Sequence, residues 1–284
     1  MGDVMVDVTV EAPALAPGGD VHGRVRVRPG GTSANAAVWA AWADADAAVV
    51  GAIGQDLAGE VLAGSLEARG VDTAGLVRAP APTGAMLVVT EAGDRSMVAD
   101  RGANAELRPA DLPTELRAAA VLVSGYLLLG RGTTETAVAV LERAEAPFVA
   151  VEAASWPLVE AFGPDRFFEA TAVATVLLAN AREARSLTGL GEIEACRALG
   201  ERYRVAAVKR GAAGALLSVD GELLETRAEP IARVDDPTGA GDAFDGVLLA
   251  ALARREPARE ALRLACHAGA LVAASAGTWP ADTP

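Results

Sequence analysis

Hydrophobic positions along this chain fall into short apolar runs separated by stretches with helical periodicity. The runs predicted as β-strands are Val4–Val10, Ala47–Ile53, Ala120–Ser124, Phe148–Val151, Val173–Leu178 and Val205–Val208. Most of them are apolar at successive positions, which is typical of parallel strands covered on both faces. The helices predicted between them are Ser33–Ala43, Asp56–Arg69, Thr133–Ala144, Glu192–Tyr203, Ala240–Ala253 and Ala258–Ala274.

Strands that alternate with helices predict an α/β fold, a doubly wound and mostly parallel sheet flanked by helices. The length suits one domain with a small appendage or two domains. No linker is visible, so we predict a single domain over residues 1–284. Ligands of such sheets bind at the carboxyl ends of the strands, and the polar residues that follow each apolar run are therefore candidates for a site.

Two segments depart from this rhythm. Residues 22–28 alternate charged residues with valine, and Ala85–Thr90 followed by Gly93–Val98 has the pattern of a hairpin. Period-two alternation indicates strands with one solvated face. We predict a small β-strand lid from about 10–30 and 83–101; the alternative is two surface hairpins without a role.

Composition and charge exclude several classes of function. The chain of 284 residues is 51% hydrophobic and carries a net charge of −13, which disfavours nucleic acid as a partner. Two cysteines and two histidines without metal-binding spacing argue against a disulfide framework or a zinc site. The longest apolar run, Leu264–Ala276, is too short to span a bilayer, so we expect no membrane association and a cytoplasmic protein.

The candidate chemistry centres on the segment that precedes the predicted helix Ala240–Ala253. Gly239, Ala240 and Gly241 leave the amides of a helix start uncovered, and the helix dipole favours an anion there. Asp242 stands beside these amides and could accept a proton from a hydroxyl that attacks a phosphate. The alternative is an ordinary helix-capping aspartate.

The segment Thr238-Gly239-Ala240-Gly241-Asp242 resembles the signature of the ribokinase (PfkB) carbohydrate kinases, with Pro237 at a position where that signature has threonine. Other segments match in the family's order, from about Val4 to Thr278. They are Gly30–Asn35 with Gly51–Asp56, then Arg101–Leu112, then the Asn180-x-x-Glu183 motif. The resemblance implies a ribokinase-like fold and transfer of phosphate from ATP to a sugar hydroxyl, with Asp242 as the base and the amides of Gly239, Ala240 and Gly241 around the anion.

The resemblance also implies residues for the nucleotide and its ions. Magnesium would be organised by Asn180 and Glu183 through water, although the same pair could be a helix cap. The residues implied to bind ATP are Asn180, Lys209, Gly211, Gly214 and Cys266. Lys209, the only lysine of the chain, could otherwise be a surface residue, and Cys266 a plain buried thiol. Asp236 and Thr238 are implied to hold a monovalent cation such as K⁺.

For the acceptor, the resemblance implies binding by Asp7, Gly31, Asn35, Arg101 and Asn104. A carboxylate can accept hydrogen bonds from two hydroxyls, which suits Asp7 to a polyol. The guanidinium of Arg101 would favour an acidic sugar. The alternatives are a loop acid at Asp7, a helix-start residue at Asn35 and a solvated arginine at Arg101.

Two departures from ribokinase itself leave the acceptor open. Thr32-Ser33 replaces its Lys-Gly, and Gly125-Tyr126 stands where it has a carboxylate. We therefore predict a magnesium- and ATP-dependent kinase of a sugar or sugar acid. A nucleoside kinase is an alternative, although the lid segments offer no aromatic residue for a base, and a non-catalytic nucleotide-binding homologue is another. A homodimer through the lid is also expected.

Overall fold

The structure, a computed structural model, describes residues 1–12, 18–91, 94–234, 236–275 and 277–281. Part of the predicted lid (13–17 and 92–93, including Gly93), Asp235 and Ala276 lie outside the described residues. No helix in the described ranges is long and apolar enough to cross a membrane.

Strands and helices alternate over most of the described chain. The strands are β1 (Met5–Ala12), β2 (Arg24–Gly30), β3 (Ala48–Gly54), β4 (Asp72–Ala79), β5 (Gly84–Glu91), β6 (Asp94–Asp100), β7 (Leu116–Arg117), β8 (Ala120–Val123), β9 (Ala144–Glu145), β10 (Phe148–Glu152), β11 (Val176–Asn180), β12 (Val205–Lys209), β13 (Ala215–Val219) and β14 (Glu222–Thr226). The helices are α1 (Thr32–Trp42), α2 (Leu57–Glu67), α3 (Gly125–Leu129), α4 (Thr134–Arg143), α5 (Trp156–Phe162), α6 (Pro164–Ala170), α7 (Ala181–Thr188), α8 (Glu192–Gly200), α9 (Ala240–Ala253) and α10 (Ala258–Ala273).

A six-stranded sheet in the order β14-β13-β12-β11-β10-β8 forms the centre of the molecule. Strands β8, β10, β11 and β12 are parallel, and β13 and β14 are antiparallel. Successive residues of β11 enter different cores: Leu177 packs with helices α4 to α8, and Leu178 packs with α9 and α10. This two-sided burial explains the continuous apolar runs and confirms the predicted α/β fold.

A second sheet, which we call the lid sheet, has the order β2-β1-β5-β6. Strand β1 pairs along its length with β2 and β5, so the run Val4–Val10 does not join the central sheet as its alternation with helices suggested. Strand β3 also lies outside the central sheet and pairs with β4. Residues Met1 and Gly2 connect the central sheet with β3. Ser124, at the end of β8, donates its amide to the Met1 carbonyl (2.9 Å), and Gly2 donates its amide to the Val50 carbonyl of β3 (3.0 Å).

Candidate active site

A cleft of about 1140 Å³ lies between the lid sheet and the carboxyl ends of the central strands. Strand ends of β10, β11 and β12 contribute Glu152, Asn180 and Lys209 to it, as expected for an open α/β sheet. The predicted site residues that line the cleft are Asp7, Gly31, Asn35, Arg101, Asn180, Glu183, Lys209, Gly211, Gly214, Asp236, Thr238, Gly239, Ala240, Gly241, Asp242 and Cys266. Asn104 does not line it.

Asp242 lies in the first turn of α9, and its orientation is fixed by a chain of hydrogen bonds. Asn35 Nδ2 donates to Asp242 Oδ2 (2.7 Å), and Trp279 Nε1 donates to Asn35 Oδ1 (2.8 Å). Because the indole holds the amide oxygen, the NH₂ group of Asn35 must point at the carboxylate. Burial raises the pKa of Asp242 to about 7, the Asn35 hydrogen bond opposes this shift, and the Asp245 carboxylate adds to it.

The start of α9 requires glycine. Gly239 has φ 82°, a left-handed conformation, and a Cβ added there would lie 2.9 Å from Thr278 Cβ. Ala240 donates its amide to the Pro237 carbonyl (3.1 Å), so the prediction of three uncovered amides is wrong for Ala240, whose N–H closes a turn. The amides of Gly239 and Gly241 have no acceptor in the described part of the chain. Two backbone donors thus remain for an anion.

Lys209 stands next to these amides. A Cβ on Gly241 would lie 3.3 Å from Lys209 Nζ, so the glycine leaves room for the ammonium group. Lys209 Nζ also contacts Asp245 Oδ2 at 2.7 Å. Burial alone lowers the pKa of Lys209, but the carboxylates of Asp245, Glu152 and Glu183 together raise it above its ordinary value. The lysine therefore remains charged beside the anion site.

Asp245 was not predicted from the sequence. Its side chain is 1% exposed, and burial raises its pKa to about 6. An acid inside the apolar helix α9, in a chain with a single lysine, was a signal that the two side chains would pair.

Asn180 and Glu183 form a capping box at the start of α7. Asn180 Oδ1 accepts from the amides of Arg182 (2.9 Å) and Glu183 (3.0 Å), and Glu183 Oε2 accepts from the Asn180 amide (2.8 Å). Asn180 Nδ2 donates to Glu183 Oε1 at 2.5 Å. Since a carboxylate oxygen has two lone pairs, both oxygens keep one for water, and these oxygen donors fit indirect contact with magnesium. The helix cap and the ion-binding role are compatible.

The residues predicted to bind the nucleotide line the part of the cleft near β12 and α10. Gly211 (φ 57°) and Gly214 (φ 89°) both have left-handed φ, and a side chain on Gly214 would collide with the Thr226 carbonyl. Cys266 is buried at 7% exposure, and burial raises the pKa of its thiol to about 11, so it offers an apolar contact surface rather than a thiolate.

Asp7 faces the cleft from the middle of β1. Gly30 lies near it at the end of β2, and any side chain there would collide with the Asp7 carboxylate. Burial raises the pKa of Asp7 to about 7, and the nearby Asp236 carboxylate adds to the shift. Gly31 has φ 96° and precedes α1. Thr238 donates its amide to Asp236 Oδ1 (3.0 Å), which keeps this pair of residues together on the Asp7 side of the cleft.

Arg101 lines the cleft, where it is paired with an acid, whereas Asn104 lies outside the cleft. Arg101 donates to both carboxylate oxygens of Asp3, from Nη2 (2.7 Å) and Nε (3.0 Å), so its charge is already balanced at the edge of the cleft. Asn104 is 2% exposed, and its amide joins both backbone groups of Val4 at 2.9 Å. We correct the prediction for Asn104: it fastens the base of the lid sheet and does not face an acceptor.

The cleft also contains residues that sequence reasoning missed. Glu152 ends β10, and its Oε1 accepts from the Ala154 amide (2.9 Å). Ribokinase has a carboxylate after the strand that corresponds to β8, where this chain has Gly125-Tyr126. Glu152 supplies a carboxylate at the end of β10, the strand next to β8. It directly follows the apolar run Phe148–Val151, so the rule of polar residues after strands would have found it. Tyr126 lines the cleft as well, and burial with the nearby Glu152 carboxylate raises its pKa.

Comparison with known proteins shows the family to which the chain belongs. An ATP-dependent ribose-1-phosphate kinase from Halopiger xanaduensis is 31% identical, over 99% of this chain and 93% of that protein. A ribokinase from Bacillus subtilis is 29% identical, over 88% of this chain and 82% of its own length. The crystal structure of adenosine kinase from Sinorhizobium meliloti, 21% identical, has a TM-score of 0.86 over 98% of this chain and 94% of that one, a likeness of fold. The model of the pfkB family of carbohydrate kinases matches residues 1–284. This chain belongs to the pfkB carbohydrate kinase family, whose members are phosphotransferases that act on sugar hydroxyls.

Proposed function

We propose that this protein transfers the γ-phosphate of ATP to a hydroxyl of a sugar or sugar derivative, with Asp242 as the general base. The observation that carries the proposal is the arrangement at the start of α9. There a carboxylate fixed by Asn35 stands beside the unbonded amides of Gly239 and Gly241, in the described part of the chain, and the ammonium of Lys209. Such a site can take a proton from an alcohol and hold the phosphate that the alcohol attacks.

In the proposed reaction the acceptor hydroxyl loses its proton to Asp242 as its oxygen bonds to the γ-phosphorus. The bond between that phosphorus and the β–γ bridging oxygen breaks, and ADP leaves with the electron pair. The Gly239 and Gly241 amides and Lys209 would stabilise charge on the transferred group. A pKa of about 7 suits Asp242 to this exchange, because a base works best when its pKa is close to the operating pH.

Ions are part of the proposal. When bound with ATP, magnesium would offset the negative charge of the triphosphate, and Asn180 and Glu183 would hold it through water. Asp236 and Thr238 would hold a monovalent cation beside the anion site. The cytoplasmic location and the absence of nucleic-acid partners stay predictions.

A pentose-based acceptor is the first choice. The relatives from Halopiger xanaduensis and Bacillus subtilis are named for ribose 1-phosphate and ribose. Asp7 and Glu152 both line the cleft and can accept hydrogen bonds from sugar hydroxyls. A nucleoside is the second candidate, because Tyr126 provides an aromatic surface that the lid segments lack. The complete set of groups around Asp242 argues against a non-catalytic homologue.

The test is ADP release measured with aldoses, ketoses, sugar phosphates, sugar acids and nucleosides, for the wild type and Asp242→Asn. We expect the variant to bind ATP normally and to lose ~10²–10⁴-fold in kcat. Asp165→Asn is the matched control, because Asp165 is also an acid in the first turn of a helix but is exposed and outside the cleft. Near-normal turnover by Asp242→Asn would refute its role as the base.

A further inference from the structure

One basic side chain of the cleft has no hydrogen-bonded or ion-paired partner among the described residues. Three basic residues line the cleft within the described chain: Arg28, Arg101 and Lys209. Arg101 is paired with Asp3 and Lys209 with Asp245, each at 2.7 Å. Arg28 makes neither an ion pair nor a hydrogen bond with any described residue. Its guanidinium therefore keeps its donors for something else.

Arg28 lies on the acceptor side of the cleft. It belongs to β2 and stands directly across from Asp7 in the pairing of β1 with β2. Its Nη1 would be 3.7 Å from a Cβ placed on Gly277. That segment leads into Trp279, whose indole holds the Asn35 amide next to Asp242. Arg28 thus shares its surroundings with the residues proposed to bind and deprotonate the acceptor.

The neighbouring position of the same strand shows what a paired arginine looks like here. Arg26 projects from the same face of β2 two residues earlier, but Nη1 donates to Glu11 Oε1 at 2.7 Å and the residue does not line the cleft. Thr9, across from Arg26 and diagonal to Arg28, lines the cleft and offers a hydroxyl. A guanidinium and a hydroxyl on adjacent strands are donors suited to an oxyanion.

The acids around Arg28 explain why an anionic acceptor would need an unpaired cation in the cleft. Acids that line the cleft include Asp7, Glu152, Glu183, Asp236 and Asp242. An anionic molecule entering this site is repelled unless a cation meets its charge. Among the described residues that line the cleft, Arg28 is the only arginine or lysine without a carboxylate in direct contact.

We propose that Arg28 binds an oxyanion carried by the acceptor, so that the preferred substrate is an anionic sugar, a sugar phosphate or a sugar acid. Asp7 takes the sugar hydroxyls beside it, and the hydroxyl to be phosphorylated faces Asp242. This inference deepens the proposed kinase function and rests on it. It assigns acceptor recognition to Arg28 instead of Arg101.

The test compares ribose, ribose 1-phosphate, ribonate and adenosine as acceptors for the wild type, Arg28→Gln and Arg26→Gln. For the wild type we expect kcat/KM to be highest for an anionic acceptor. Comparison of ribose 1-phosphate with ribonate shows whether the preferred oxyanion is a phosphate or a carboxylate. Arg28→Gln should lower kcat/KM for that acceptor ~10–100-fold, as expected when a charged hydrogen bond is lost. Its effect on ribose should be less than about threefold. Arg26→Gln, the control, should behave as the wild type.

Several results would overturn the inference. It fails if Arg28→Gln lowers turnover of all acceptors equally, if it raises KM for ATP instead of the acceptor, or if neutral acceptors are preferred. Calorimetric titration of each acceptor without ATP decides the question independently of turnover. Loss of ribose 1-phosphate or ribonate binding only in Arg28→Gln supports the inference even if the kinase assay fails. Equal binding in all three proteins refutes the role of Arg28. ADP release in the kinase assay would still support the kinase proposal in that case.

Discussion

Burial of the Asp242 side chain carries an energetic cost beside the chemical role proposed for it. Its pKa is about 7 in the folded protein against 3.8 for the free side chain, so the folded state binds the proton more tightly between those values. The ionised carboxylate therefore lowers stability as the pH rises from about 4 through about 7, whereas below about pH 4 the ionisation makes no difference. If Asp242 is the base, as proposed, it is kept at the expense of stability.

We predict that Asp242→Asn raises the free energy of unfolding at pH 8, by up to about 4 kcal/mol if the whole shift is recovered. The substituted amide would keep an oxygen to accept from Asn35. Urea unfolding at pH 8 and pH 5 measures the gain, which should shrink at the lower pH. The exposed Asp165→Asn should show no such dependence. A variant that is equally destabilised at both pH values would contradict the pKa argument.

The ion pair between Lys209 and Asp245 makes a second prediction at this scale. Its members are 14% and 1% exposed, so removing either one leaves a buried charge. Lys209→Met or Asp245→Leu alone should cost ~3–5 kcal/mol of stability, and the double variant clearly less than the sum. Chemical denaturation of the four proteins measures this. Additive costs would mean that the two side chains do not interact.

At the scale of elements, the start of α9 depends on the left-handed backbone of Gly239. Gly239→Ala should cost about 2–4 kcal/mol, since alanine is strained at φ 82° and its methyl group would press on Thr278. Gly64→Ala is the control: this glycine is exposed inside α2 with open space around it, so alanine should stabilise the protein by ~0.5–1 kcal/mol. Thermal unfolding separates the two. Equal effects would show that the conformation of Gly239 is not required.

The elements that are buried on all sides were the ones whose positions could be predicted from the sequence. The predicted helix Ala240–Ala253 agrees with α9, and the run Phe148–Val151 with β10 to within one residue. The run Val173–Leu178 starts too early, because Val173 is 52% exposed in the turn before β11. The elements β4, β13, β14, α3 and α5 to α7 were not predicted. Each has at most eight residues and includes polar residues or glycine, so it shows neither a continuous apolar run nor a clear period.

Strand β1 shows why sheet membership was harder to predict than strand position. Its valines alternate with Asp7 and Thr9, a period-two pattern of a strand with one wet face. The lid segments share this alternation, whereas most central strands are apolar at successive positions. In the site, motif residues such as Asp242 and Lys209 could be located in advance. The partners Asp3, Asp245 and Trp279 depend on contacts between distant parts of the chain.

At the scale of the whole molecule, the lid sheet has one face on the cleft and the other in solvent. The outer lid face, formed by Val25, Val27, Leu87 and Val98, is apolar, with Val25, Val27 and Val98 each about 64–65% exposed. Contiguous exposed apolar surface of this kind is typical of an interaction site. It supports the prediction of a homodimer through the lid, in which a second copy covers this face.

We predict that light scattering after gel filtration gives the mass of a dimer for the wild type and of a monomer for Val27→Lys/Val98→Lys, because the interface would bury lysines that have no partner. Val61→Lys is the control, since Val61 is 51% exposed on α2, outside the lid. A wild-type protein that elutes only as a monomer at high concentration would exclude the lid dimer.

That the chain is one domain stays a prediction.

The division of the cleft between two pieces of the chain has a consequence for how this enzyme could be altered. Asp7 and Arg28 project from the lid sheet, while Asp242 and the amides beside it belong to the start of α9. With the roles proposed for these residues, choice of acceptor and transfer of phosphate would be encoded in separate segments. Libraries of variants confined to the inward-facing lid positions should change which molecules are phosphorylated and leave the chemical step intact.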